Sequence, residues 1–350
     1  MSEEVYKNLA KFLDRMPGGF PETRSGVELK ILKKFFTPEQ AGILMKLTPF
    51  PEPVAKIAAR LEMDEAETAR KLEQMAKEGS IYRVRAGDKV LYMAINFVVG
   101  IYEFHLNSID RELAELMEEY LPTLKTMWEK TKTKQLRVVP IHSAVASAPA
   151  VSTYDQVREL TKKHDLISVA PCICRKEQAL LDNPCDRPLE SCLQFGMAAQ
   201  YYIENGMGRK ISKDELMAIL KMGEEKALVL SPTNAQDIMN ICMCCGCCCG
   251  VLRGLKAMPK PAEQVQASFQ ARIDPGLCSA CGACLDRCQM DAIAEGDVFR
   301  VDGERCIGCG LCLPTCPEEA IYFVARETAA ALPANIVEMN MRIGKERGVL

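Results

Sequence analysis

Regularly spaced cysteines near the carboxyl-terminal end constrain this chain of 350 residues more than any other feature. The segment reads Cys278-x2-Cys281-x2-Cys284-x3-Cys288, and it recurs 28 residues later as Cys306-x2-Cys309-x2-Cys312-x3-Cys316. Thiolates at this close spacing on a glycine-containing loop can surround three corners of a cube, so the fourth corner must come from elsewhere. The spacing therefore predicts two metal centres in one duplicated unit.

The duplicated segment resembles a bacterial-type ferredoxin module with two 4Fe–4S clusters, in which the fourth cysteine of each run ligates the other cluster. The resemblance implies that one cluster is held by Cys278, Cys281, Cys284 and Cys316, and the other by Cys306, Cys309, Cys312 and Cys288. One difference from the family pattern is that Gln289 follows Cys288, whereas Pro317 follows Cys316. The alternative is a pair of zinc sites. The x3-Cys spacing and the duplication argue against that alternative.

The distribution of cysteines also indicates the compartment. All 18 cysteines lie after position 171, and the first 30 residues lack the apolar core of a signal peptide. A disulfide-stapled secreted protein is therefore not expected, and a cytoplasmic location is. The longest apolar run, from Val90 to Tyr102, is interrupted by Asn96. It is shorter than the roughly 20 residues of a transmembrane helix, so we expect no membrane span.

Residues 1–135 are predicted to form an amino-terminal domain. Thr37-Pro38-Glu39-Gln40 is typical of a helix start. Further helices are predicted over 53–61 and 64–78, then a hairpin over 81–93, and an amphipathic helix over 103–128 that Pro122 should kink or split. The order of the first elements resembles a winged-helix domain. Its third helix, over 64–78, carries a net charge of -2, which opposes phosphate contacts and favours a protein-docking or structural role over DNA binding.

The middle region, 136–258, contains two further groups of cysteines. Strands are predicted over 137–141 and 166–170, with a helix over 153–164 between them. The second strand leads into Cys172-Ile173-Cys174-Arg175, followed by Cys185 and Cys192. Four thiols suffice for one cubane cluster or one tetrahedral zinc, and unliganded thiols are the third alternative. Arg175 is predicted to donate hydrogen bonds to sulfur.

The second group places six cysteines in eight positions: Cys242, Cys244, Cys245, Cys247, Cys248 and Cys249. Neighbouring side chains point apart in an extended or helical backbone, so these thiols are predicted to serve different sites. Three or four of them are expected to hold an additional cluster, shared with the Cys172 group, and the rest to be thiols that lie outside the ligand shell or are buried. Residues 137–326 together resemble a recurring group of cytoplasmic iron–sulfur proteins of anaerobes, which join Cys-x-Cys-Arg and Cys-Cys-Gly-Cys-Cys-Cys elements to a two-cluster ferredoxin.

The predicted fold class is α+β, with a winged-helix-like domain (1–135), a cysteine-rich α/β domain (136–258), a double-cluster ferredoxin domain (259–327) and a tail with a mobile end (328–350). The expected cofactors are two 4Fe–4S clusters in the ferredoxin domain and one or two further iron–sulfur clusters in the middle domain. Segment 272–326 has nine Asp and Glu against five Lys and Arg, so a partner with a basic docking surface is expected.

These features predict a multi-cluster iron–sulfur protein that relays low-potential electrons to or from a partner oxidoreductase. The sequence contains no phosphate-binding glycine loop and no dinucleotide fingerprint, so we expect an electron-transfer protein or an oxidoreductase subunit rather than a self-contained enzyme. Two alternatives remain open. One is a redox-sensing regulator that binds DNA through the winged helix, and the other is a thiol/disulfide reductase subunit.

Overall fold

The computed structural model describes residues 2–145, 156–326 and 331–350, which pack around two hydrophobic cores. The first core draws mainly on the amino-terminal region, from Tyr6 to Leu124. The second runs from Val138 to Phe323 and therefore includes side chains of both the middle region and the ferredoxin segment. The predicted boundary at 258 lies within this second core and stays a prediction.

The amino-terminal region begins with the helices α1 (Ser2–Asp14), α2 (Val27–Phe35), α3 (Pro38–Leu44), α4 (Val54–Leu61) and α5 (Glu65–Lys77). The predicted start of α3 is confirmed, because the Thr37 side chain accepts a hydrogen bond from the Gln40 amide and the Gln40 side chain accepts one from the Thr37 amide. Strands β1 (Glu52–Pro53), β2 (Tyr82–Ala86) and β3 (Lys89–Met93) form an antiparallel sheet in the order β1-β3-β2. The identification of this unit as a winged helix stays a prediction.

The long amphipathic stretch forms two helices rather than one. A single turn, α6 (Tyr102–Phe104), is followed by a break and then by α7 (Arg111–Glu129). The break precedes Asp110, whose side chain caps α7 by accepting a hydrogen bond from the Leu113 amide. Helix α7 continues through Pro122, so the proline does not split it, and the kink predicted there stays a prediction.

The middle region contains a five-stranded antiparallel sheet in the order β6-β4-β5-β8-β7. Its strands are β4 (Ile167–Pro171), β5 (Glu190–Phe195), β6 (Arg209–Lys210), β7 (Val229–Pro232) and β8 (Asn240–Cys244). The surrounding helices are α8 (His142–Val145), α9 (Val157–Lys162), α10 (Ile173–Leu180), α11 (Met197–Glu204), α12 (Lys213–Glu225) and α13 (Gly250–Lys256).

Two predictions for this region need correction or restriction. The expected strand over 137–141 does not form, and this segment joins β7 through the isolated bridge between Val139 and Leu230 and through the Arg137 amide, which donates to the carbonyl oxygen of Pro232. Leu136 makes a similar bridge to Thr233. The helix predicted over 153–164 begins outside the described residues and is seen as α9.

The ferredoxin segment contains two antiparallel strand pairs. Strand β9 (Phe269–Ile273) pairs with β12 (Ile321–Ala325), and β10 (Ile293–Ala294) pairs with β11 (Arg300–Val301). The tail forms α14 (Ile336–Arg347), in which Arg347 donates hydrogen bonds to the carbonyl oxygens of Met16 and Asp14, and the mobility expected at its end stays a prediction. In the described ranges no helix has the length and apolarity needed to span a membrane.

Candidate metal centres

The eight ferredoxin cysteines line two separate cavities. The outer cavity, of about 310 Å³, is lined by Cys278, Cys281, Cys284 and Cys316. The inner cavity, of about 390 Å³, is lined by Cys288, Cys306, Cys309 and Cys312. The fold thus brings together the four members of each predicted ligand set. Four thiols around a cavity whose other lining residues are mostly apolar fit a cubane cluster by donor chemistry.

The duplication in sequence is repeated in the backbone of the cluster loops. Cys278 and Cys306 each donate an amide hydrogen bond to the carbonyl oxygen four residues earlier, at Asp274 and Asp302. Gly282 and Gly310, also 28 residues apart, have φ of 82° and 76°. These angles favour glycine and turn each loop tightly around its cavity. The two runs therefore present their first three thiols with the same local geometry.

The fourth cysteine of each run receives a hydrogen bond from the backbone. The Ala292 amide donates to the Cys288 sulfur at 3.2 Å, and the Ala320 amide donates to the Cys316 sulfur at 3.3 Å. Such N–H···S bonds stabilise negative charge on sulfur and raise the reduction potential of a cluster held there. Within the inner cavity, burial raises the pKa of the Cys309 thiol to about 12. Without a metal, that thiol is protonated at neutral pH.

The two cavities differ in solvent exposure. Cys281 of the outer set is exposed, and the neighbouring Leu277 side chain is 54% exposed. None of the inner four cysteines is exposed. Arg287, which lines the inner cavity, contacts α12 of the middle region. It donates hydrogen bonds to the carbonyl oxygen of Glu225 at 2.7 Å and to that of Glu224. The outer cavity therefore faces solvent, whereas the inner cavity faces the middle region.

Six cysteines of the middle region are connected by thiol contacts. An electrostatic interaction between the two end members, Cys192 and Cys172, closes the series, and we call this group the thiol ring. Hydrogen-bonding contacts connect its members in the order Cys172, Cys174, Cys249, Cys244, Cys242 and Cys192. The ring lies between the sheet and the amino-terminal region, where Glu103 faces Cys242 and Cys249. Burial raises the pKa of Glu103 to about 8, so this carboxyl group is mostly protonated at neutral pH.

Strand register explains how the sheet assembles half of the thiol ring. Cys242 and Cys244 are two residues apart on β8, so both side chains lie on the same face of the sheet. Cys192 on β5 is directly opposite Cys242. The adjacent side chains on that face, Gln194 and Asn240, also pair with each other. Together they form a polar face on a sheet whose other face packs in the second core.

Amide side chains from this face hydrogen-bond two sulfurs of the thiol ring. Gln194 donates to Cys192 at 3.0 Å, and Asn240 donates to Cys242 at 3.5 Å. The Gln194 oxygen in turn accepts a hydrogen bond from Ser168 at 2.7 Å, which fixes the orientation of the amide. Sequence reasoning did not identify these residues. Their position two residues from a cysteine within a strand is the signal that could have indicated them.

The remaining members of the thiol ring come from helix starts. Cys172 is the residue before α10, and Cys249 is the residue before α13. Hydrogen bonds from the thiols of Cys174 and Cys244, together with the amides of the first turn of α13, hold the pKa of Cys249 well below its usual range. Cys249 therefore favours the thiolate, which is the form that binds metal.

The other four middle cysteines lie close together in a second group, the four-thiol site. The Sγ atoms of Cys185, Cys245, Cys247 and Cys248 are all within 4.8 Å of one another. The prediction that the consecutive cysteines serve different sites therefore agrees with the observed separation. The single site suggested by the Cys172 group does not form, because Cys185 joins the four-thiol site while Cys172, Cys174 and Cys192 join the thiol ring.

Arg175 is buried between the two groups of middle cysteines. It hydrogen-bonds Cys245 of the four-thiol site and interacts electrostatically with Cys172 of the thiol ring. Its guanidinium group also donates to the carbonyl oxygen of Met243 at 2.9 Å and to that of Pro188 at 2.8 Å. A positive charge fixed in this way offsets part of the negative charge that two groups of thiolates would carry.

The loop of the four-thiol site contacts the ferredoxin segment. The Gly246 amide donates to the Gln289 side-chain oxygen at 2.7 Å, and a Cβ atom at Gly246 would lie 2.5 Å from the Gln289 carbonyl oxygen. The two backbones thus approach too closely for any side chain at position 246. This contact gives Gln289 a role that proline, its counterpart after Cys316, could not fill, because proline has no side-chain acceptor.

The comparisons with known proteins identify the ferredoxin segment. A family model described as a 4Fe-4S binding domain matches residues 271–294 and again residues 299–322. These matches define the carboxyl-terminal segment as a ferredoxin-type module that binds 4Fe–4S clusters. No curated protein and no solved structure matches the chain.

Proposed function

We propose that this protein is a multi-cluster iron–sulfur electron-transfer protein that relays low-potential electrons to or from a partner oxidoreductase in the cytoplasm. The observation that carries the proposal is the contact between Gly246 and Gln289, which joins the cysteine-rich middle region to the residue beside Cys288. A 4Fe–4S cluster, when bound, takes up and releases one electron at a time. The cysteines of the outer and inner cavities are the ligands proposed for two such clusters.

The placement of the cysteines supports a direction of transfer from solvent toward the middle region. Cys281 is exposed at the outer cavity, and Cys288 lies in the inner cavity beside the four-thiol loop. That loop continues directly into Cys249, a member of the thiol ring. We assign a third 4Fe–4S cluster to the thiol ring, which offers two thiols more than the four that one cubane takes.

The amino-terminal region fits a docking or structural role better than DNA binding. Among the three basic residues of the hairpin, Arg83 is buried and donates to Glu73 at 2.6 Å and to Glu204 at 2.7 Å. Arg85 also donates to Glu204, at 2.8 Å. The buried Arg83 is not available to contact phosphate and Arg85 is paired with a carboxylate, so within the part of the chain that the structure describes Lys89 is the one hairpin cation without an ion pair.

Quantification of iron and sulfide in anaerobically purified protein tests this proposal. We expect about twelve irons per chain, of which about eight belong to the ferredoxin module and about four to the thiol ring. Electron paramagnetic resonance during a redox titration should resolve signals from more than two centres. A count near eight, with no signal beyond those of two clusters, would confine the iron to the ferredoxin module and overturn the relay.

A second candidate function is that of a thiol/disulfide reductase subunit. Cys244 of the thiol ring lines a pocket of about 870 Å³ whose walls are mostly apolar and include Trp128, Val138 and Leu255. A pocket beside a cluster, together with two thiols beyond the four ligands, suits a substrate that reacts at sulfur. Reduction of a disulfide to two thiols consumes two electrons and two protons. Turnover of a small-molecule disulfide by the reduced chain would favour this function over simple relay.

A further inference from the structure

We propose that the four-thiol site binds a single tetrahedral zinc ion rather than an iron–sulfur cluster. The site consists of Cys185, which precedes β5, and of Cys245, Cys247 and Cys248, which lie between β8 and α13. It is distinct from the thiol ring and from both ferredoxin cavities, and the electron-transfer proposal does not require it.

The size of the site carries the proposal. All four sulfurs lie within 4.8 Å of one another, and those of Cys247 and Cys248 are 3.7 Å apart. Four thiolates at the zinc–sulfur distance of about 2.3 Å stand about 3.8 Å apart at the corners of a tetrahedron. The observed spacing therefore matches the coordination shell of one metal ion.

The ferredoxin cysteines provide an internal comparison of size. They surround cavities of about 310 and 390 Å³, and across the described residues no other three potential metal ligands come within 4.8 Å of one another. The sulfur atoms of the two ligand sets that match the 4Fe–4S family are thus further apart than those of the four-thiol site. A cubane would have to force these four sulfurs apart, whereas a single ion would not.

The ligand set favours zinc in a closed, structural site. Four cysteine sulfurs with no open position are typical of structural zinc, and tetrahedral S₄ coordination selects zinc or iron among common metals. Cys245 and Cys248 are buried, whereas Cys247 is exposed. An ion here would fasten the loop before β5 to the loop after β8. That loop carries Gly246, so the zinc would also steady the contact with Gln289.

Zinc-edge X-ray absorption of the anaerobically purified full chain, combined with metal analysis, tests the assignment. We expect about one zinc per chain, with four sulfur neighbours at about 2.3 Å. The variant Cys247→Ser should lose most of the zinc and keep the roughly eight irons of the ferredoxin module. Retention of that iron shows that the variant is folded.

The matched control is Cys249→Ser, two positions further along the same loop. Cys249 belongs to the thiol ring and not to the four-thiol site, so this variant should keep its zinc. Zinc absent from the wild-type protein, a zinc environment without four sulfurs, or zinc that is retained by Cys247→Ser and lost by Cys249→Ser would each overturn the assignment. Failure of the electron-transfer proposal would be seen separately from the zinc result. It would appear as about eight irons per chain, the number that two 4Fe–4S clusters contain.

Discussion

Cys288 and Cys316 are equivalent residues of the duplicated unit, yet each lines the cavity formed mainly by the other run. Each follows a short turn, in which its amide donates to the carbonyl oxygen of Leu285 or Leu313. The turn directs the fourth thiol away from the loop that carries the first three. The x3 spacing thus explains why the fourth cysteine of each run lines the cavity of the other run. It also predicts which cysteines share a cluster.

We expect Cys288→Ser and Cys309→Ser to shift or remove the same paramagnetic signal of the reduced protein. The reason is that both residues line the inner cavity although they belong to different runs. Cys316→Ser and Cys281→Ser should affect the other signal, because both line the outer cavity. Redox-titrated electron paramagnetic resonance of the four variants is the measurement. Pairing of Cys288 with Cys281 instead would show that each run holds its own cluster.

At the scale of elements, β2 of the amino-terminal sheet is fastened to α11 of the middle region. Arg83 on β2 bonds Glu204 and Asn205 at the end of α11. The Tyr201 hydroxyl on α11 donates to the carbonyl oxygens of Ala76 and Ile81 at 2.7 and 2.8 Å. The carboxyl-terminal end of α5 is thus packed against protein, which removes part of the surface that a DNA-reading helix would need.

Arg83→Ala should lower the free energy of unfolding by about 2 kcal/mol, because it removes the buried cation that pairs with both Glu73 and Glu204 and leaves those carboxylates only the more exposed Lys77 and Arg85. For a chain of 350 residues the midpoint of thermal unfolding should fall by about 3 °C. The matched control is Lys89→Ala on the exposed hairpin turn, which should change the midpoint by about 1 °C or less. Equal shifts in the two variants would show that the ion pairs do not fasten β2 to α11.

The local sequence predicted individual strands and helices better than it predicted which of them pack together. The alternation of a strand places Cys242 and Cys244 on one face, and this much follows from the Cys-x-Cys pattern. The partner of Cys242 is Cys192, however, and that pairing depends on the strand order β4-β5-β8, which no local pattern encodes. Cys185 is the clearest case, because a loop carries it away from the cysteines that flank it in sequence.

At the scale of the whole molecule, charge is distributed unevenly around the ferredoxin module. Three of its five basic residues, Arg287, Arg305 and Arg326, donate to backbone carbonyl oxygens within the protein. Its acidic residues Asp286, Glu318 and Glu319 are exposed beside the cysteines of the outer cavity. These exposed carboxylates lie two or three residues from Cys284 or Cys316, so we expect the module to present an acidic surface near the outer cavity. A cationic electron donor would be attracted to this edge of the molecule.

The double variant Glu318→Gln with Glu319→Gln should slow reduction of the holoprotein by reduced methyl viologen, a cationic one-electron donor. At low ionic strength we expect the second-order rate constant to fall about two- to fivefold, since two attracting charges beside the outer cavity are removed. The difference should disappear at about 1 M salt, where the screening length is about 3 Å. The matched control is Glu62→Gln with Glu65→Gln, which removes two exposed carboxylates from the amino-terminal region. Stopped-flow absorbance measures the rates, and equal slowing in both variants would place the entry of electrons elsewhere.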